Sequence, residues 1–137
     1  MINNVINLMM ENNIFKYQDN RSIVLVGMMG VGKTSIGKLL SSEIILPFYD
    51  SDNEVELLLD LSISDIFKKY GENYFREKES EIFESLINKA QSVIASGGGS
   101  FINQKTQEKI KEKCISIWLR ANEETLLERL KNSKKRP

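Results

Sequence analysis

The chain carries the stretch Gly27-Met28-Met29-Gly30-Val31-Gly32-Lys33-Thr34 between an apolar run at residues 23–26 and a helical pattern at residues 35–45. Strand, glycine loop and helix in this order are the context in which the spacing Gly-x-x-x-x-Gly-Lys-Thr indicates a phosphate-binding P-loop. Glycines let successive backbone N–H groups turn inward around a polyphosphate, and the positive end of the helix faces the same anion. The stretch therefore predicts nucleoside triphosphate binding. The alternative is a tight glycine turn with an exposed lysine.

The residues of the loop have different expected tasks. Lys33 would reach the β- and γ-phosphates, and the Thr34 hydroxyl would lie on a Mg²⁺ ion that bridges them. The remaining positions would contribute mainly backbone N–H groups. The candidate ATP-binding set is Gly27, Met28, Met29, Gly30, Val31, Gly32, Lys33, Thr34 and Ser35.

Length and composition exclude several classes of protein. The 137 residues suit one domain, and 19 basic against 19 acidic residues give no net charge, which argues against a nucleic-acid partner. The sequence has no histidine, so a proton acceptor must be a carboxylate or water. One cysteine allows no disulfide within the chain and fits a reducing compartment. With no apolar run near the ~20 residues of a membrane span and no signal peptide, we expect a cytoplasmic protein without a membrane partner.

Strand and helix patterns alternate along the rest of the chain. This alternation predicts an α/β fold in which a parallel sheet carries helices on both faces. Residues 1–21 read as an N-terminal extension without evident chemistry, and residues 53–90 as a helical insert between two strands. The predicted strands are residues 23–26, 47–50, 92–96 and 114–119, and the predicted helices are residues 35–45, 53–61, 63–70, 72–90, 104–113 and 123–131.

Two carboxylates follow the second predicted strand, in the sequence Asp50-Ser51-Asp52. Open α/β sheets bind ligands at the carboxyl ends of their strands, and paired carboxylates there suit a metal ion or a substrate hydroxyl. The simpler interpretation is that Asp52 or Ser51 is the N-cap of the next helix. Both interpretations can hold together.

Two further features could bind a small anionic or hydroxylated ligand. Arg76 and Glu79 are three residues apart on one predicted helix face, so the carboxylate can orient a guanidinium that suits two-point carboxylate recognition. The alternative is a solvated surface ion pair. The third predicted strand runs into Gly97-Gly98-Gly99, which would expose backbone N–H groups to a ligand or form a flexible turn.

In this order and spacing the motifs resemble those of the shikimate kinases, which belong to the nucleoside monophosphate kinase-like P-loop proteins. The resemblance covers residues 22–137, which it identifies as one kinase domain. The P-loop by itself is generic, whereas the combination is specific. The motifs that carry the resemblance are residues 27–34, Asp50-Ser51-Asp52, Phe75-Arg76 with Glu79, Gly97-Gly98-Gly99, Trp118-Leu119 and Arg136-Pro137.

The resemblance implies transfer of the γ-phosphoryl group of ATP, with Mg²⁺, to the 3-hydroxyl of shikimate by a monomeric enzyme. By the resemblance the catalytic residues are Lys33, Asp52 and Arg136, where Arg136 is an arginine of the lid that closes over the transferred phosphate. Thr34 and Asp50 would belong to the metal site, with Asp50 acting through water. The positions that would bind shikimate are Asp52, Arg76, Glu79, Gly97, Gly98 and Gly99.

The pattern departs from the family at the C-terminus. Family members continue beyond the positions that match Arg136 and Pro137, with the rest of a lid that begins here at about residue 132, a last strand and a C-terminal helix. We therefore expect weak shikimate binding and low turnover. The competing hypotheses are a catalytically inactive nucleotide-binding remnant of the family and another small-molecule P-loop kinase.

Overall fold

Four short strands form one parallel sheet in the computed structural model, which describes residues 20–27, 31–97 and 104–120. In chain order these are β1 (Ser22–Val26), β2 (Phe48–Asp50), β3 (Val93–Ala95) and β4 (Cys114–Trp118), and their spatial order is β2-β3-β1-β4. Every pairing is parallel. The five residues of β1 are all buried, as expected for a strand that is covered on both faces.

Five helices connect and flank the strands within the described residues: α1 (Lys33–Ile44), α2 (Ser51–Leu59), α3 (Ile63–Tyr70), α4 (Glu72–Asn88) and α5 (Gln104–Lys113). The predicted bounds of α3 and α5 are confirmed. The Ser62 side chain accepts the N–H of Asp65 at 3.1 Å and caps α3, which ends at Gly71. None of these helices is long and apolar enough to cross a bilayer.

The predicted bounds of three helices are wrong by one or two residues. Helix α1 already begins at Lys33, because Gly32 adopts a left-handed conformation that ends the loop, and Ile45 ends the helix with φ 57°. Helix α2 spans Ser51–Leu59 rather than residues 53–61, since Asp50 caps its start and Asp60 ends it with φ 53°. Helix α4 ends at Asn88, because Lys89 is extended. The extension before residue 20 and the predicted helix at residues 123–131 lie outside the described residues.

Helices cover both faces of the sheet, which confirms the predicted α/β architecture. On one face α1 packs against the sheet, and on the other α4 and α5 do. Cys114 belongs to the second core, and its burial raises the pKa of the thiol to about 11, so it is an unreactive packing residue. The first core contains Ile23, Leu25, Val31, Ile36, Leu40, Val93 and Leu119, and the second Val24, Val26, Phe83, Leu86, Ile94, Ile110 and Cys114.

The helices between β2 and β3 have an apolar cluster of their own, centred on Val55 of α2, Ile66 of α3 and Phe75 of α4. This cluster fixes the start of α4 relative to the start of α2. The carboxyl ends of parallel strands meet at one edge of a sheet. Residues that follow β1, β2 and β3 therefore lie along the same edge of the sheet.

Candidate active site

The P-loop lysine lies at the positive end of α1. Gly32 has φ 92° and ψ 26°, a left-handed conformation that favours glycine, and it leaves the N-terminus of α1 without a side-chain cap. The first turn of α1 carries no acidic residue. The Lys33 side chain is buried, and its ammonium donates a hydrogen bond to the carbonyl of Gly27. Positive charge from the helix end and from Lys33 is thus concentrated at the carboxyl end of β1.

The next residue joins the P-loop helix to the second strand. The Thr34 hydroxyl donates to Asp50 Oδ2 at 2.9 Å, and Asp50 Oδ1 accepts the N–H of Asp52 at 3.1 Å. Asp50 is therefore the N-cap of α2, and the prediction that Asp52 or Ser51 caps this helix is wrong. The extended backbone of Asp50 lets its side chain reach over the first turn, which residues already inside the helix cannot do.

The pair of Thr34 and Asp50 fits a Mg²⁺ ion that is held mainly by phosphate. Hydroxyl and carboxylate oxygens are the hard ligands that Mg²⁺ prefers. Among residues 20–27, 31–97 and 104–120, no group of three or more Asp, Glu, Cys or His side chains is placed to hold a metal ion. An ion bound through one or two protein oxygens, with nucleotide phosphates and water completing the shell, is the usual arrangement for such a donor set.

Asp52 and Gly97 are in direct contact across the ends of β2 and β3. A Cβ atom added to Gly97 would lie 2.1 Å from Asp52 Oδ1 and 2.7 Å from its Cγ, so no other residue fits without moving the carboxylate. The Gly97 N–H donates to the hydroxyl of Ser51 at 2.9 Å. The start of the glycine run is therefore fixed against the start of α2.

Arg76 and Glu79 form an ion pair on the buried side of α4. Arg76 Nη1 lies 3.3 Å from Glu79 Oε1 and 3.5 Å from Oε2, and Arg76 Nη2 lies 3.5 Å from Glu72 Oε1. The Glu79 side chain is 5% exposed, which rules out the interpretation of a solvated surface pair. The buried Arg76 Nε has no hydrogen-bond partner within the part of the chain that the structure describes.

The charge state of Glu79 depends on its neighbours in the site. Burial, followed by the charge of Asp52, raises the pKa of its carboxyl from the usual 4.5 to a net value of about 7, although Arg76 and Lys33 oppose the shift. Four charged side chains from the P-loop, α2 and α4 therefore influence one another. A shared electrostatic environment of this kind is typical of functional sites.

We expect the stability of the fold to depend on pH through Glu79. Because the folded-state pKa lies above the unfolded value, the protonated carboxyl stabilises the fold. This contribution is complete below pH 4.5 and is lost as the pH rises through about 7. Relative to Glu79→Gln, the wild-type free energy of unfolding should fall by about 1 kcal/mol per pH unit between pH 5 and 7 and level off above. Urea unfolding of both proteins across this pH range measures the two free energies of unfolding.

Glu81→Gln is the matched control for this prediction, because Glu81 lies on the same helix and its side chain is 54% exposed. Its unfolding free energy should run parallel to that of the wild type at every pH. Parallel curves for Glu79→Gln and the wild type would contradict the assignment of the titration to Glu79.

The structure brings together most of the residues that the sequence singled out. Thr34 and Asp50 are hydrogen-bonded, Gly97 contacts Asp52, and Arg76 pairs with Glu79. Val31 is buried in the first core, whereas Ser35 is exposed on the first turn of α1. The candidate positions Met28, Met29, Gly30, Gly98, Gly99 and Arg136 lie outside the described residues.

Sequence reasoning missed two members of the site. Glu72 is a second carboxylate for Arg76, and its spacing of four residues on the same helix was a usable signal. The only sequence signal for Ser51 was its place between two aspartates. Its partner, Gly97, is 46 residues away in the sequence, so no local pattern indicated their contact.

The fold and the site together define a P-loop protein. A glycine loop leads into a buried lysine and a threonine, and it lies at the carboxyl edge of a parallel sheet with helices on both faces. The shikimate kinase family model matches residues 29–137 of this chain. The chain belongs to the shikimate kinase family, as its motifs predicted.

Individual relatives agree with this assignment. A shikimate kinase of Bartonella henselae is 40% identical over 127 residues, which are 93% of this chain and 60% of that protein. A shikimate kinase of Zymomonas mobilis is 45% identical over 117 residues, which are 85% of this chain and 66% of that protein. The solved structure of shikimate kinase from Acinetobacter baumannii in complex with shikimate superposes with a TM-score of 0.83 at 34% identity, covering 89% of this chain and 68% of that one. This chain thus spans about three fifths of the length of the Bartonella relative.

Proposed function

We propose that this protein transfers the γ-phosphoryl group of ATP to the 3-hydroxyl of shikimate, giving shikimate 3-phosphate and ADP. The observation that carries the proposal is the contact of Asp52 with Gly97, close enough to the pair of Arg76 and Glu79 for Asp52 to raise the pKa of Glu79. These groups can bind a small molecule that has hydroxyls and one carboxylate. They adjoin Lys33, which would bind a nucleotide phosphate.

The nucleotide side of the reaction needs charge neutralisation more than proton transfer. Phosphoryl transfer passes through a loose transition state, so positioned cations supply most of the catalysis. Lys33 would leave the Gly27 carbonyl for the β- and γ-phosphates. Thr34 and Asp50 would hold Mg²⁺, directly and through water respectively, and the ion would neutralise charge that develops on the phosphate oxygens.

The acceptor side uses the carboxylates and the arginine. Arg76, oriented by Glu79 and Glu72, would hold the shikimate carboxylate by two parallel hydrogen bonds. Asp52 would accept a hydrogen bond from the 3-hydroxyl and take up its proton as the oxygen bonds to the γ-phosphorus. The bond from that phosphorus to the β–γ bridging oxygen breaks, and ADP leaves. The main chain at Gly97, Gly98 and Gly99 would contact the substrate, and Arg136 would neutralise the transferred group.

We propose a monomeric enzyme of the cytoplasm, with ATP and Mg²⁺ as its cofactors and shikimate as its partner. The free and buried Cys114 is compatible with a reducing compartment. The zero net charge of the chain supports a small-molecule partner over a nucleic acid.

Release of ADP from Mg-ATP by the 137-residue chain, with and without shikimate, tests the proposal. We expect ADP formation that requires shikimate and is not supported by quinate or other hydroxylated carboxylic acids. ATP binding without shikimate-dependent ADP in a folded chain would instead identify a nucleotide-binding protein without this activity. Preference for another hydroxylated acid would identify a different small-molecule kinase.

Substitution of Gly97 by alanine should weaken shikimate binding selectively. The new methyl group would displace the Asp52 carboxylate, since its place lies 2.1 Å from Oδ1. Loss of one well-placed hydrogen bond to the substrate is expected to raise the KM for shikimate about tenfold, with little change in the KM for ATP. Steady-state kinetics with each substrate varied in turn measures both values.

Ser96→Ala is the control for this substitution, because Ser96 is the preceding residue and is also buried, and its hydroxyl has no partner in the described ranges. It should leave both KM values within about twofold. An equal rise of both KM values in Gly97→Ala would show general disruption rather than a displaced Asp52.

A further inference from the structure

Ser51 occupies an unusual place between the two aspartates of the site. It is the first residue of α2, and its side chain is fully buried, with 0% exposure. Its hydroxyl oxygen accepts the N–H of Gly97 at 2.9 Å. A buried serine at this point links the end of β2 to the residue that begins the glycine run after β3.

Three consecutive residues at the junction of β2 and α2 contact the P-loop and Gly97. Asp50 accepts the hydroxyl of Thr34 and so faces the P-loop. Asp52 lies against Gly97 and close enough to Glu79 to raise its pKa. Ser51, between them, accepts a hydrogen bond from the backbone N–H of Gly97. The nucleotide side and the acceptor side of the site therefore meet in this segment.

The contact between Gly97 and Asp52 makes the position of the glycine backbone important. Since even a Cβ atom at Gly97 would overlap the Asp52 carboxylate, a shift of Gly97 toward α2 would push the carboxylate away. Register alone does not fix this distance, because pairing of β2 with β3 ends at Asp50 and Ala95. The hydrogen bond to Ser51 spans the gap beyond the last ladder pair.

We propose that Ser51 is a positioning residue of the shikimate site. It holds Gly97, and through Gly97 the Asp52 carboxylate, at the spacing that receives the acceptor hydroxyl. This inference rests on the proposed function. It assigns Ser51 no contact with either substrate and no step in the transfer itself.

Steady-state kinetics of Ser51→Ala, Ser51→Thr and Ser92→Ala tests the assignment. Ser92 is the matched control, since it is fully buried at the opposite end of β3 and its hydroxyl has no partner among the described residues. Removing the acceptor of a buried N–H should release Gly97, so we expect Ser51→Ala to raise the KM for shikimate about tenfold. The KM for ATP should stay within about twofold. Ser51→Thr keeps the hydroxyl and should recover most of the shikimate affinity, and Ser92→Ala should match the wild type.

Amide hydrogen exchange provides a second measurement that does not depend on turnover. The Gly97 amide should exchange at least about tenfold faster in Ser51→Ala than in the wild type or Ser92→Ala, because its buried acceptor is lost. If Ser51 only stabilised the fold, Ser51→Ala would lower the fraction of folded protein. The rate would then fall alike with either substrate varied, and neither KM would change.

The positioning role of Ser51 and the proposed kinase function can fail separately. If the wild-type chain is active but Ser51→Ala leaves the KM for shikimate unchanged, or raises both KM values equally, the positioning role alone is overturned. Absence of shikimate-dependent ADP with the wild-type chain would overturn the proposed function, and the role of Ser51 would fall with it.

Discussion

Replacing Lys33 by methionine is expected to lower kcat for shikimate phosphorylation by about 10²- to 10³-fold, the range for removal of one preorganised charge-stabilising group. Lys33 is buried at the N-terminus of α1 and already donates to the backbone of the loop. Methionine keeps most of the aliphatic stem, so the packing around residue 33 is preserved while the ammonium is lost. Rapid-quench or coupled measurement of ADP formation at saturating substrates gives the ratio.

Lys38→Met is the matched control for Lys33→Met. Lys38 lies on the same helix, but it is exposed to solvent. Its replacement should change kcat by less than about twofold, as surface substitutions of this kind usually do. A Lys33→Met protein that keeps its thermal stability and more than half of the wild-type kcat would contradict the assignment of Lys33 to the phosphate site.

Replacing Arg76 by lysine is expected to raise the KM for shikimate by about 10- to 100-fold, because a lysine cannot form the two parallel hydrogen bonds of a guanidinium and a carboxylate. The pairing with Glu79 and Glu72 fixes the plane of the guanidinium in the absence of substrate, which makes the clamp preorganised. The KM for ATP should be nearly unchanged. Titration calorimetry with shikimate measures the affinity directly.

The same helix offers the control for Arg76→Lys. Lys78 and Glu81 have the same three-residue spacing as Arg76 and Glu79, but the Glu81 side chain is 54% exposed rather than 5%. An exposed pair contributes little, so Lys78→Ala should leave shikimate affinity within about twofold. Unchanged affinity in Arg76→Lys would remove the carboxylate clamp from the account and with it the choice of shikimate.

Local sequence signals were sufficient to predict the sheet and the P-loop. The continuous apolar run at residues 23–26 predicted a strand buried on both faces, and β1 occupies Ser22–Val26 at the centre of the sheet. Ser62 caps α3 and Gly71 follows its last residue, and serine and glycine at these places are local signals of helix ends. These features depend on residues that are close together in the chain, so their physical cause is visible in the sequence.

Features that depend on distant residues could not be predicted in this way. Asp50 rather than Asp52 caps α2, because its backbone is extended while Asp52 is already helical, and several acidic or hydroxyl residues at this point made the choice ambiguous. The charged start of α4 left a solvated ion pair open as an alternative, whereas the tertiary structure buries the Glu79 side chain to 5% exposure. The contact of Ser51 with Gly97 arises only when β2 and β3 are neighbours.

The most direct test of the account is identification of the product formed from Mg-ATP and shikimate by the wild-type chain, using phosphorus NMR and mass spectrometry. We predict one phosphate monoester on the 3-hydroxyl of shikimate for every ADP released. ADP accompanied only by inorganic phosphate, or ADP formed at the same rate without shikimate, would contradict the claim that the site joining Lys33, Asp52 and Arg76 is a shikimate kinase active site.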